Sequence, residues 1–142
     1  MEIETTEITM SVERLSRDLR VASKTLSDAE ARFLVDAYYQ MQDNRIRSNN
    51  QIRQMKEDPH GVRVWLSIQA DILEKSVRAS LDVYSDTHPI GQRIRTVVGI
   101  GPVIAAGLIA HIDIEQASTA GAIWRFAGLD PTAKWGKGKK RP

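Results

Sequence analysis

Apolar positions along the first two thirds of the chain recur every three or four residues, which is the spacing of one face of an α-helix. The first set, from Val12 to Leu26, predicts a helix near the N-terminus. Ser27 and Glu30 then form the pattern of a capping box, in which each side chain binds a free N–H at the start of a helix. A second helix is therefore predicted from this box to about Lys56.

A polar stretch interrupts the apolar stripe of this second helix. The stripe runs from Leu34 to Met55, but Arg45 and Ser48 stand on it. The cations of this region are Arg45, Arg47, Arg53 and Lys56, interleaved with Asn and Gln. They could bind nucleic acid, although a solvated helix face is the better interpretation.

A turn and a third helix complete a predicted helical hairpin. The run Asp58-Pro59-His60-Gly61 stops the second helix, since proline cannot continue it and glycine suits a reversal. Val62 to about Ser85 is the cleanest amphipathic pattern of the chain. Two helices of about 25 residues joined by a short turn are expected to lie antiparallel, as an arm of roughly 40 Å. No segment needs a strand, so the predicted fold class is all-α.

A turn with two glycines follows the arm. Gly99-Ile100-Gly101-Pro102 predicts a tight connection between a helix over about 90–98 and a helix over 102–111. Glycine permits positive φ, and proline fits the first position of a helix because no N–H is needed there. Ile100 is expected to enter the core, and Ala105, Ala106 and Gly107 are small enough for close helix packing. A last helix is predicted from about Thr119 to Ala127.

This pattern looks like a helix-hairpin-helix motif, which presents backbone N–H groups at a helix N-terminus to a nucleic-acid phosphate. The helix dipole and the unpaired N–H groups both favour an anion, and such a contact reads no sequence. The candidate site consists of Gly99, Ile100, Gly101, Val103 and Ile104, with Arg93 and Arg95 nearby. The donors would be the N–H groups of Gly101, Val103 and Ile104. On the motif alone, a close-packed helical corner without a ligand is an equal alternative. The absence of Lys and Arg from the turn and from the first two turns of the following helix argues against a phosphate contact.

The charge of the chain lies at its ends. The total is only +2, but residues 1–10 carry −3 and residues 131–142 carry +5, so residues 11–130 sum to zero. The basic tail is a second candidate nucleic-acid contact, through Lys134, Trp135, Lys137, Lys139, Lys140 and Arg141. Trp135 could stack on a base or anchor the tail on a partner.

The C-terminal third resembles the C-terminal domain of one transposase family, which comprises pilin-invertase-type recombinases and bridge-RNA-guided insertion-sequence transposases. Gly99, Gly101, Pro102, Ala105 and Ala106 match its glycine hairpin, and Ala127-Gly128-Leu129-Asp130-Pro131 matches its Ala-Gly-Leu-Asp-Pro box. The resemblance covers about Val97 to Lys140 and implies a DNA-binding role for the hairpin. The helical arm could parallel the linker that the family carries ahead of this domain.

Catalysis does not carry over from this resemblance. The family's nuclease-like domain with four acidic residues has no counterpart before residue 90. The family places its catalytic serine in a Ser-Gly-containing loop after the Ala-Gly-Leu box, where this sequence has Thr132, Trp135 and Gly136 and no serine. No metal or cofactor site is predicted either. The three histidines are not paired at helical spacing, and cysteine is absent. Asp113 and Glu115 are better explained as a solvated turn than as an ion site, and Ser118-Thr119 as a helix cap.

The expected organisation has four parts. They are an acidic flexible N-terminus over 1–10, a three-helix arm over 11–87, a helix-hairpin-helix domain over 88–131 and a basic flexible tail over 132–142. The expected function is a nucleic-acid-binding protein of mobile-element or phage origin that prefers DNA to RNA. No run of 18 apolar residues occurs, so no membrane partner is expected, and the protein is placed in the cytoplasm or in a virion.

Two other interpretations stay open. The arm could form a homo-oligomer, which would make the protein a structural or assembly module without a nucleic-acid role. The chain could also be a fragment of an active serine recombinase.

Overall fold

The computed structural model describes residues 13–130, 132 and 136–138. All regular secondary structure in these residues is helical, which confirms the predicted all-α class. The helices are α1 (Arg17–Ala22), α2 (Asp28–Gln54), α3 (Gly61–Thr87), α4 (Pro89–Ile94), α5 (Pro102–His111) and α6 (Ala120–Phe126), with a 3-10 turn at Ser23–Thr25 after α1. The chain divides into two compact units, Met1–Ala110 and His111–Pro142. The domain predicted over 88–131 therefore has residues in both units.

The starts of the first helices follow the local sequence. Ser16 caps α1, and the predicted capping box of α2 is confirmed, with Ser27 N–H donating to Glu30 at 2.9 Å and Glu30 N–H donating to Ser27 at 3.2 Å. The first helix is shorter than its apolar pattern predicted. It gives way to the 3-10 turn at Ser23, whose side chain is buried and contacts the Ser80 hydroxyl at 2.7 Å.

The second and third helices form the predicted antiparallel hairpin. The Tyr84 hydroxyl donates to Asp28 at 2.6 Å at its open end. Arg63 donates to Gln51 at 2.6 Å near the turn that joins the two helices. Contacts at both ends show that the register holds along the whole arm.

An ion pair crosses the arm at its centre. Arg45 binds the Glu74 carboxylate with two hydrogen bonds, of 2.7 and 3.1 Å, and the Glu74 side chain is only 9% exposed. The interpretation of Arg45 as part of a solvated face was therefore wrong for this residue. Its position on the apolar stripe is explained by its partner, because a buried carboxylate must be paired.

The core of the first unit lies at the open end of the arm, where α5 packs against α2 and α3. The residues of this cluster are small or apolar, and they are Ala31, Val35, Leu81, Tyr84, Val103, Ala106 and Ala110. Ala105 is buried as well. The small residues of α5 therefore pack closely against the base of the arm.

The backbone of α4 also packs closely against its neighbours at Gly91, a residue that the sequence analysis did not single out. A Cβ at this position would lie 2.0 Å from the Ser85 carbonyl oxygen and 2.7 Å from the Ile109 side chain. A Cβ at Gly107 would instead lie 3.7 Å from Val35, an ordinary van der Waals distance. Gly91 is therefore the position where the end of α3, α4 and α5 meet without room for a side chain.

We expect Gly91→Ala to destabilise the protein by about 1–3 kcal/mol, because the backbone must move to admit the methyl group. Gly107→Ala is the matched control, and it should be neutral or stabilising by up to about 1 kcal/mol through its better helix propensity. Urea unfolding followed by circular dichroism measures both. Equal stability of the two variants would contradict the packing described at Gly91.

Candidate nucleic-acid interface

The start of α5 leaves backbone N–H groups without helical partners. The first hydrogen bond of the helix runs from the Ala105 N–H to the Gly101 carbonyl at 3.0 Å. Val103 and Ile104 precede this donor within the helix, so no carbonyl of α5 is available to their N–H groups. This end of the helix also carries the positive pole of the helix dipole. The anion contact that the sequence predicts at this helix start remains a prediction.

The two glycines of the turn have different roles. Gly99 has φ +90°, a conformation that L side chains rarely adopt, so the turn requires glycine there. Gly101 does not have positive φ, and a Cβ built on it would meet no atom within 4 Å. Its backbone therefore borders open space beside the start of α5. Ile100, between them, is half-buried.

The first helix of the predicted hairpin is shorter than expected. It ends at Ile94, not near residue 98, because the chain continues as tight turns. The N–H groups of Thr96 and Val97 donate to carbonyls three residues earlier, at 3.2 and 3.1 Å.

The two predicted arginines of the hairpin are in different situations. Arg95 is ion-paired with Asp82 at 2.6 Å and lies 3.9 Å from Asp86. Arg93 is exposed and has no ion-pair partner among the residues that the structure describes. Of the two arginines, Arg93 is therefore the one that is not engaged in an ion pair with a described residue.

A groove lined by cations adjoins the hairpin, and the sequence analysis missed it. It has a volume of about 290 Å³ and is lined by Arg20 from α1, Lys75 and Arg78 from α3, Arg95, and Pro102 at the start of α5. The spacing of Lys75 and Arg78 on one helix was visible in the sequence. The position of Arg20 in this groove was not visible in the sequence, because it depends on how α1 packs against α3.

Most of the predicted basic tail lies outside the described residues. Lys134, Trp135, Lys139, Lys140 and Arg141 belong to that part. Lys137 is described and is exposed.

The second unit contains the Ala-Gly-Leu-Asp-Pro box, and the structure explains most of it as the end of a helix. Gly128 has φ +75°, and its N–H donates to the Arg125 carbonyl at 3.0 Å. The Leu129 N–H donates to the Trp124 carbonyl at 2.8 Å. These two bonds form a Schellman motif, in which glycine ends the helix and the next residue closes it. Pro131 lies outside the described residues.

Asp130 continues this local structure. Its carboxylate accepts hydrogen bonds from the Thr132 hydroxyl at 2.7 Å and the Thr132 N–H at 2.9 Å. These bonds hold the pKa of Asp130 below its ordinary value, with a smaller contribution from Arg125. The Asp130 carboxylate of the box is thus ionised at neutral pH.

The predicted cap of the last helix is observed in the second unit. Thr119 caps α6 by accepting from the Ala122 N–H at 3.2 Å, so the cap is confirmed. The side chain of Trp124, in the same helix, is 57% exposed.

The acidic turn after α5 has a local explanation. The Asp113 carboxylate accepts from the Glu115 N–H at 3.0 Å, which closes the turn. No group of three or more His, Asp or Glu side chains among the described residues could hold a metal ion. Within the same residues, no helix has the length and apolar character needed to cross a bilayer.

The C-terminal part of the chain is similar to a known protein family. Residues 91–141 match the sequence model of the family described as Transposase IS116/IS110/IS902 family. The match spans the glycine hairpin, α5, α6 and the Ala-Gly-Leu-Asp-Pro box, and it leaves the long arm outside. This part of the chain is therefore similar to a transposase-related domain, as the resemblance implied. No curated protein and no solved structure matches the chain significantly.

Proposed function

We propose that the protein binds nucleic acid, DNA in preference to RNA, through backbone phosphates in a transposase-related process of a mobile element. The observation that carries this proposal is the family match over residues 91–141, because it includes both candidate contacts, the glycine hairpin and most of the basic tail. Membership of the pilin-invertase and bridge-RNA-guided group, and an origin in a bacterial or phage-infected cell, belong to the same proposal.

The hairpin would contribute a positioned backbone contact. Ala105 and Ala106 are fully buried, so the core holds α5 and the N–H groups of its first turn in place. Donors that are fixed before binding lose little entropy when a phosphate arrives. A contact of this kind carries no sequence information, so binding through it is non-specific.

The tail would contribute charge. Residues 131–142 carry five cations and no acid. Five tail contacts and one hairpin contact would together contribute about −5 to the slope of log K against log salt, at roughly 0.9 per phosphate of duplex DNA. Catalysis is not proposed for this chain, since the motif position of the family's serine holds Thr132, Trp135 and Gly136.

Deletion of residues 133–142 should weaken DNA binding and flatten its salt dependence, because it removes all five cations of the tail. The measurement is fluorescence anisotropy of a labelled 20-bp duplex between about 50 and 200 mM salt, where the slope should become less steep by up to about 4.5. The proposal would be refuted if the full chain did not bind the duplex at the lowest salt concentration, or if its affinity did not depend on salt.

Gly101→Ala should lower the affinity for the same duplex several-fold while leaving stability within about 0.5 kcal/mol of the parent protein. The added methyl group meets no atom of the protein, but it projects into the space through which a phosphate would approach. Gly107→Ala is the matched control in the same helix and should bind DNA normally. An unchanged affinity of Gly101→Ala would remove the hairpin from the interface.

A second candidate function, assembly through the arm, is supported by an apolar stripe on α3. Val62, Leu66 and Leu73 share one face of that helix and are 62%, 59% and 45% exposed. Trp65 beside them is 42% exposed. Soluble proteins rarely leave such a stripe uncovered, so a second copy of the arm would be a suitable partner.

Light scattering across a hundredfold range of concentration should then show a dimer or a larger species, and Leu66→Glu with Leu73→Glu should convert it to a monomer. A parent protein that stays monomeric at the highest concentration would exclude the assembly function. DNA binding by that monomer would leave the first proposal standing.

A further inference from the structure

The groove lined by cations is built by contacts between α1 and α3. The Leu15 N–H donates to the Ser76 hydroxyl at 3.3 Å, and the hydroxyls of Ser23 and Ser80 are 2.7 Å apart. Ser76 and Ser80 are one helical turn apart, so they hold α1 against α3 on both sides of Arg20. Arg20 is thereby placed in the same groove as residues of α3. We call this surface the basic groove and define it by Arg20, Lys75, Arg78, Asp82, Arg95 and Pro102.

The basic groove has an excess of positive charge. Its lining contains four cations and the single carboxylate of Asp82. Asp82 is engaged by Arg95 at 2.6 Å, and Lys75 is paired with Asp71 at 2.7 Å. Arg20 and Arg78 are exposed, and neither has an ion-pair partner among the residues that the structure describes. Two guanidinium groups that can each bind a phosphate with paired hydrogen bonds are therefore uncommitted.

The basic groove and the hairpin form a continuous surface. Pro102 lines the groove and is also the first residue of α5, next to the N–H groups that precede the first hydrogen bond of that helix. A polyanion that reaches the start of α5 therefore lies beside the cations of α1 and α3. The lining is charged, with Ala79 and Pro102 as its uncharged members, and this composition suits a phosphate backbone better than an apolar ligand.

We propose that the basic groove binds the phosphate backbone of the same DNA that the hairpin contacts, with Arg20 and Arg78 as the main ligands. This inference rests on the proposed function and extends its interface from the transposase-related domain onto the arm. It assigns a role to two helices that lie outside the family match. The Arg95–Asp82 pair would act as a positioning contact that keeps the groove open beside α5.

The test compares two double variants with the same loss of charge. Arg20→Gln with Arg78→Gln removes the uncommitted cations of the basic groove. Arg47→Gln with Arg53→Gln removes two exposed arginines of α2 and is the matched control. For the labelled 20-bp duplex, the groove variant should bind roughly tenfold more weakly, with a salt slope flatter by about 2, because two phosphate contacts are lost. The control variant should keep the parent slope.

Protection of Lys75 gives a readout on the unaltered protein. Its amine should react more slowly with acetic anhydride when the duplex is bound. The amine of Lys56, which lies in the turn after α2 and is not part of the groove lining, should react equally with and without DNA. Circular dichroism melting of both double variants checks that the arm remains folded.

The results separate the groove from the proposed function. Normal binding by the groove variant, with weaker binding after tail deletion, would overturn the groove and leave DNA binding intact. Equal losses in the two double variants would also overturn it, since they would show a general effect of charge. Lys75 could instead be protected in the absence of DNA. If Glu2→Gln, Glu4→Gln and Glu7→Gln together removed that protection, the groove would be a binding site for the acidic N-terminus and the groove proposal would be overturned. A parent protein that binds no DNA at 50 mM salt would overturn both proposals.

Discussion

The burial of Tyr84 at the open end of the arm is the interaction on which the position of the hairpin depends. Its side chain is fully buried, and its ring lies 4.8 Å from that of His88, where α3 ends. Burial raises the pKa of the Tyr84 hydroxyl well above its ordinary value, and the hydrogen bond to Asp28 raises it further. The hydroxyl therefore remains a donor at neutral pH. The same ring belongs to the cluster that receives Val103 and Ala106 of α5, so one residue joins both helices of the arm to α5.

The pair of Arg45 and Glu74 adds a constraint of another kind. A stripe of apolar residues alone would tolerate a shift of one helix along the other by a turn. Such a shift would leave the Glu74 carboxylate buried without its partner, which is strongly unfavourable. The pair thus selects one register, and the selected register brings Asp28 opposite Tyr84. The ion pair in the middle of the arm thus favours the register in which the residues at the base of the arm pack together.

Local signals in the sequence predicted the helices well, but they did not predict contacts between residues that are distant along the chain. Ser27, Pro102 and Thr119 were identified correctly as helix starts because caps depend on neighbouring residues. The partner of Arg45 could not be identified, since a stripe position shows only that a residue faces inward. Neither the tight packing at Gly91 nor the meeting of Arg20 with α3 leaves a local pattern, because each arises from three-dimensional packing.

One property of the hairpin follows from its composition. From Thr96 to Ala110 the chain has no ionisable side chain, so the start of α5 itself offers an anion only peptide groups. Peptide groups do not titrate, and they add nothing to the isoelectric point. Under the proposed function, these turns would add no charge repulsion between two molecules on adjacent stretches of one duplex, and crowding would instead be limited by the basic tails.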